Sequence, residues 1–453
     1  MNAGAKTGEL TTAAIRGALI TFTGDPFVDG VENTRHYESD AIVVMRDGCI
    51  VDCGPATDVL FRLPPETQVT SYANALITAG FIDTHVHYPQ LPVIGVGGQP
   101  LLEWLAGYTF VAEQRFADAS YARTVAGTYL QENLRNGITT AAVFCTVHPA
   151  SVDVLFEEAA ARQLRLIAGK VLMDRNAPDG LLDTAQRGYD ESKALLGRWH
   201  GSGRLAYAIT PRFAATSTAL QLDLAGTLKR EYPDAYVQSH VAENVAEVEL
   251  VSRLFPDADS YLDVYARHGL TGQRTIYGHG IHLTEADFRF LHETGTALAH
   301  CPTSNNFLGS GLFDLRQASD PRRPVRVGLA TDLGGGTSFS MLRTMQAAYE
   351  VAQLKGYALP ASCALYLATR GAARALDIDA KVGSVAPGME ADIAILDLRS
   401  TPIIDFRMAD ARGIDDVLAV QMALGDDRAV RATYVAGKLA YDRDSAVSGR
   451  VSP

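Results

Sequence analysis

The sequence has no cysteine framework, no basic run and no long apolar stretch. Five cysteines are scattered over 453 residues: Cys49, Cys53, Cys145, Cys301 and Cys363. The count is odd, and the one close pair, Cys49 and Cys53, has no second pair with which to form a zinc cluster. That pattern excludes a disulfide scaffold and implies a reducing compartment. Lys and Arg total 40 against 52 Asp and Glu, giving a net charge of −12. The basic residues gather into no stripe, which argues against nucleic acid as a partner. No apolar segment approaches the roughly 20 residues of a membrane span. The opening stretch MNAGAKTGELTTAAIRG lacks the apolar core of a signal peptide. The expectation is a soluble, cytoplasmic protein.

What is present falls into two kinds of text. The first ~75 residues read as short strands broken by turn residues, ALITFTGDP and then DAIVVMRDGCIVDCGP, with an Asp-Gly hairpin signal in MRDGCI. The end of the chain reads alike, in ADIAILDL and RATYVAGKLAYDRD. Residues 1–77 with 389–453 are therefore expected to build one small β-sandwich domain from both termini. Between them, over residues 78–388, short apolar runs alternate with amphipathic segments such as SVDVLFEEAAARQ. The runs are ALITAGFID, GITTAAVF, LRLIAGKVL, RLAYAITP, AYVQSH, RTIYGH, GTALAH and VRVGLATD. Strands rich in Val, Ile and Ala that alternate with helices imply parallel pairing covered on both faces. Eight such units close into an α/β fold of the (β/α)₈ type.

The runs end on polar residues. The first closes on His85 and His87, and the fifth, sixth, seventh and eighth on His240, His279, His300 and Asp332. In this fold catalytic groups gather at the C-terminal ends of the strands. His-x-His places two imidazoles on one face of a strand, because side chains alternate with period two. Imidazoles with one carboxylate suit zinc or iron, and water on such an ion loses a proton near pH 7. Glu243, just past the fifth strand end, can move a proton without being a ligand. Each residue alone reads equally as a satisfied core histidine or a cap. Their coincidence at matching strand ends favours a site. His300 reads as backbone support or an outer contact, and His36, His148, His200, His268, His282 and His292 as surface or loop residues. The His36-Tyr37-Glu38 triplet has no P-C-x-x-C to complete a deaminase signature of another fold. Lys170 falls before its strand end, so one metal is expected rather than two.

The segments AGFIDTHVHYPQ, PLLEWLAGYTFVAEQRF, ITPRFAATST, QSHVAENVAEVE, YGHGIHLTE, AHCPTSNNFLGSG and GLATDLGGGTSFSML together resemble the amidohydrolase superfamily. The resemblance covers nearly the whole chain. The LLEWL and TPRF blocks point within it to the branch that deaminates guanine. It implies one zinc held by His85, His87, His240 and Asp332, with Glu243 as proton shuttle and His279 as a polarising group facing the substrate. Asp332 would also accept a hydrogen bond from the attacking hydroxide. Gln90, Arg212 and Phe213 match the purine contacts, and Trp104 is a pocket wall on the loop after the first strand. The implied reaction gives xanthine and ammonia, in purine catabolism, by a homodimer. The side-chain chemistry agrees: Arg donates to a carbonyl in fixed geometry, Phe stacks, and Gln both donates and accepts. The plainer alternative is that Arg212 pairs with a nearby carboxylate and Phe213 belongs to the core. Two rivals stand beside this reading. One is an amidohydrolase acting on another ring, including a chlorohydrolase. The other is a non-catalytic scaffold, which would be expected to have dropped ligands that this chain keeps.

Overall fold

The computed structural model describes residues 12–448. Most of the opening stretch, Met1 to Thr11, and the last five residues of the C-terminal portion lie outside the described residues. The N-terminal strands are β1 (Ala13–Phe22), β2 (Arg35–Arg46), β3 (Cys49–Pro55) and β4 (Gln68–Ala79). The turn between β2 and β3 is the one its Asp-Gly pair dictates. Asp47 and Gly48 both take positive φ, 54° and 81°, which matches the twist of a tight hairpin.

The barrel strands follow: β5 (Phe81–His87), β6 (Ile138–Phe144), β7 (Arg165–Gly169), the short β8 (Val171–Leu172), β9 (Leu205–Pro211), β10 (Tyr236–Val241), β11 (Thr275–His279), β12 (Ala297–His300) and β13 (Val327–Leu329). They pair in parallel in the order β13-β12-β11-β10-β9-β7-β6-β5, with β8 alongside β9. Ile82, Ala142, Ile167, Ala208, Tyr236, Ile276 and Ala297, one from each of seven strands, meet in a single buried cluster, as the filled interior of a barrel requires. Single contacts bring the ends of the path together: Thr84 Oγ1 donates to the Leu329 carbonyl at 2.9 Å, and the Asp332 N–H to that of His85 at 3.0 Å. Helices cover the outside. The one over Glu285–Thr294 shows the local logic: Thr284 and Asp287 form a capping box, and Gly295 ends the helix at φ 74°.

Three further strands, β14 (Ile393–Asp397), β15 (Val430–Val435) and β16 (Lys438–Asp442), return to the first sheet. Its order is β16-β15-β14-β4-β1-β2-β3, with β1 and β4 parallel and every other pair antiparallel. Two of the apolar runs divide differently from the sequence reading. In ALITAGFID the first five residues finish β4 in the terminal sheet, and only Phe81 onward enters the barrel. Gly80 marks the crossing, where a Cβ would lie 2.3 Å from Thr139 Oγ1. In LRLIAGKVL the run breaks after Gly169, whose Cβ would lie 1.7 Å from the Ala208 carbonyl oxygen. Among the described residues no helix is long and apolar enough to cross a membrane.

Candidate active site

The strand ends converge. His85 and His87 project from the end of β5, each about 1% exposed. The Nε2 atoms of His87 and His240 stand 2.9 Å apart, and Asp332 Oδ1 lies 3.6 Å from His85 Nε2 and 3.8 Å from His87 Nε2. Ligand atoms of His85, His87 and His240 all lie within 4.8 Å of one another, as do those of His85, His279, Cys301 and Asp332. The backbone is strained to aim these groups. Ala242, His279 and Asp332 take φ of 48°, 72° and 45°, a conformation that costs a non-glycine residue about 1–3 kcal/mol and collects at functional sites. On β11, Gly278 leaves room for a neighbour: a Cβ there would lie 2.7 Å from His85 Cε1.

One inward nitrogen is fixed as a lone pair. The His240 Nδ1–H donates to the Arg212 carbonyl at 2.5 Å, which turns Nε2 inward as an acceptor. The Nε2 of His85 is buried without a partner among the described residues. Burial, together with the fields of the neighbouring histidines and Arg212, holds His85, His87 and His240 well below the usual imidazole range, so they are neutral at pH 7. Burial also lifts Asp332 to about 7. Buried imidazole nitrogens turned toward one carboxylate, one of them with no partner, are an unfavourable set alone and a fitting shell for a divalent transition metal. Cys301 reaches the same place, but burial holds its thiol well above its ordinary value, and Sγ lies 3.4 Å from the Ala299 carbonyl oxygen. It is a weak candidate for a ligand.

Beside this nest sits an acid–base pair. Glu243 Oε2 lies 3.3 Å from His279 Nε2. Its other oxygen, Oε1, accepts from Ser310 Oγ at 2.9 Å. Burial pushes the Glu243 carboxyl up to about 7, with Ser310 and Arg212 pulling it back. His279 is oriented in turn by Asn305, whose Oδ1 accepts from Nδ1 at 2.8 Å. Glu247, a turn further along the chain, accepts the backbone N–H of Glu243 at 2.9 Å and that of Asn244 at 3.1 Å, and so fixes the turn that carries Glu243.

His87, His240, Glu243, Glu247, His279 and Asp332 line one cleft with Gln90, Leu101, Trp104, Leu105, Arg212, Phe213 and Leu308. Trp104 does wall the cleft, but not from a loop. Leu101–Trp104, a π-helical turn over Leu105–Thr109 and Phe110–Gln114 form one helical segment, and the indole N–H donates to the Val96 carbonyl at 2.6 Å. Arg212 does pair with a carboxylate, and still lines the cleft. Its Nη1 contacts both oxygens of the fully buried Glu113, at 2.9 and 2.8 Å. Burial raises the Glu113 carboxyl above its ordinary value, against the pull of Arg212 and Gln90.

Residues 76–440 match the model of the amidohydrolase family. The chain belongs to the amidohydrolase family. The guanine deaminase of Escherichia coli strain K12 is 46% identical over 96% of this chain and 99% of its own. A probable guanine deaminase of Deinococcus radiodurans is 40% identical over 95% of this chain and 99% of its own. Among solved structures, guanine deaminase from C. acetobutylicum with guanine in its active site superposes with a TM-score of 0.85, at 27% identity, covering 95% of this chain and all of the other.

Other residues of this amidohydrolase lie apart from the cleft. Lys170 is fully buried and ion-paired with Asp183, with Glu191 Oε2 at 3.3 Å, so it bridges strand to helix rather than metal to metal. His300 is buried at the end of β12, stacked on Phe313 at 4.5 Å, and does not line the cleft. Glu113, Ser310 and Asn305 are functional-site residues to which the sequence assigned no role. Glu113 stands in the LLEWL block, and the other two in AHCPTSNNFLGSG.

Proposed function

We propose that this amidohydrolase converts guanine and water to xanthine and ammonia, a step of purine breakdown. One observation carries the reading: a histidine–aspartate nest, a carboxyl poised near 7 and a guanidinium meet in one cleft. The names of the full-length relatives, guanine deaminase and probable guanine deaminase, support the same substrate.

In this reading His85, His87, His240 and Asp332 hold one zinc ion, and iron suits the same shell. When bound, the ion supplies water whose pKa is lowered to near 7. The chain's own residues do the rest. Glu243 takes a proton from the attacking water through Oε2 while Ser310 holds Oε1, then gives it to a ring nitrogen of guanine. His279, fixed by Asn305, presents Nε2 to the oxygen that adds to the carbon bearing the amine. Asp332 accepts a hydrogen bond from the same oxygen. Arg212 donates to the ring carbonyl, Gln90 contacts the adjoining edge, and Phe213 and Trp104 cover the ring. A second proton passed to the amine lets it depart as ammonia. Glu243 suits both directions because its carboxyl titrates near neutral pH.

The test is ultraviolet absorbance of guanine incubated with zinc-loaded protein, beside adenine, cytosine and a chloro-triazine. Conversion of guanine to xanthine with release of ammonia, abolished by a chelator, is the expected result. Turnover of another ring with silence on guanine would overturn the substrate and leave the metal site standing.

A further inference from the structure

The buried carboxylate of Glu113 does no chemistry in the reaction just described, yet it sits where two purine-facing side chains meet. It is 0% exposed and comes from the helical segment that walls the cleft. It meets Arg212 through Nη1 alone. Nε and Nη2 carry no hydrogen bond among the described residues, so Glu113 holds the guanidinium by one corner and leaves its remaining donors free. Phe110, one turn back on the same segment, lies against the guanidinium, its ring centroid 5.2 Å from Cζ. The second contact is with Gln90, whose Nε2 lies 3.5 Å from Glu113 Oε1. A carboxylate accepts and cannot donate, so it can face only the NH₂ end of an amide. The carbonyl end, Oε1, has no partner among the described residues. It lies against Gly334, where a Cβ would come within 2.4 Å of it.

We infer that Glu113 is the positioning residue that sets ring-edge specificity, by turning Gln90 and Arg212 so that the cleft shows donors beside an acceptor. Resting on the guanine reading, this arrangement selects the edge that carries a carbonyl next to a ring N–H. Arg212 donates to the carbonyl, and Gln90 Oε1 accepts from the N–H. An amino-purine presents the reverse, an NH₂ beside a bare ring nitrogen, and meets donor with donor and acceptor with acceptor. A buried site left with unmatched polar groups rejects such a ring far more strongly than a merely apolar pocket can. Glu113 itself touches no substrate.

The test compares guanine with 2,6-diaminopurine, which loses the same amine from the same carbon but carries the reversed edge. The wild type is expected to prefer guanine strongly. In Glu113→Gln the neutral amide no longer dictates which end of Gln90 faces it. The kcat/KM ratio of guanine to 2,6-diaminopurine is expected to narrow by about tenfold or more, with KM for guanine moving more than kcat. A generally loosened fold would lower both substrates alike and leave the ratio in place, which would overturn the inference. If the variant does not fold, the wild type decides. A donor-plus-acceptor edge repels a reversed edge more than a blank one, so 2,6-diaminopurine must be a poorer substrate than 2-aminopurine, and the opposite order overturns the inference. Wild-type silence on guanine defeats the functional reading and this one together. Guanine turnover with an unchanged ratio in Glu113→Gln defeats this one alone.

Discussion

Replacing Ser310 by Ala should move the pH at which the enzyme switches on. Ser310 Oγ donates to Glu243 Oε1 at 2.9 Å, and both residues are buried. A hydrogen bond to an ionised group is worth about 1.5–3 kcal/mol, and water entering the vacated space returns part of it. A net loss of about 1.4 kcal/mol corresponds to about one pKa unit. The Glu243 carboxyl, at about 7 in the native protein, would then titrate about one unit higher. At pH 7 its ionised fraction falls from about half to about a tenth, a fivefold loss in kcat/KM, while by pH 8.5 the variant regains about three-quarters of its ionised form. The assay is kcat/KM on guanine from pH 6 to 9, with zinc content measured in parallel. An acid limb that stays in place, or a loss of equal size at every pH, would refute the reasoning. The sign for stability follows from the same shift. The unfolded carboxyl ionises near 4.5 and the folded one near 7, so between those values the folded chain holds the extra proton. Stability therefore falls as pH rises through that window, and Ser310→Ala extends the window upward.

Gly278→Ala would drive a methyl group to within 2.7 Å of the His85 ring; bound zinc should drop below half an equivalent per chain by atomic absorption, and full occupancy would count against the site. Gly334→Ala would press on Gln90 and force a residue with a side chain to φ 116°; KM for guanine should rise about tenfold with smaller change in kcat, read from steady-state kinetics. Lys170→Met breaks a fully buried ion pair with Asp183 and should cost about 3–5 kcal/mol in urea denaturation. The same variant should keep its zinc, and loss of an ion would return Lys170 to the metal site.

The parts of this protein legible in its sequence are those written in local pattern. His85, His87, His240, His279 and Asp332 stand out because each closes an apolar run, and parallel strands in register bring their ends to one mouth whatever the helices between them do. The supporting residues have no such signal. Glu113 reaches Arg212 across 99 positions, and Ser310 reaches Glu243 across 67. Only the barrel's closure brings those pairs together, so a single chain read along its length shows an ordinary Glu and an ordinary Ser. The division of ALITAGFID was hidden for another reason. The terminal sheet and the barrel both take apolar residues, so the run is continuous in hydropathy while the fold changes sheets at Gly80. Trp104 lay in text that reads as a loop because its helical segment is short and carries a π-turn, which blurs the 3.6-residue period.

The strand order of the terminal sheet sets a timetable for synthesis. β4 lies between β1 and β14, and the chain leaves it at Ala79 and does not return until Ile393. A ribosome adding about 5–20 residues per second leaves one edge of β4 without a neighbour for roughly 15–60 s, while the whole barrel is made. An open apolar edge invites pairing with another nascent chain. Ala75, Leu76, Ile77 and Ala79, buried in the finished protein, are therefore the residues most exposed to misassembly during translation, and truncation anywhere before Ile393 leaves that edge permanently open.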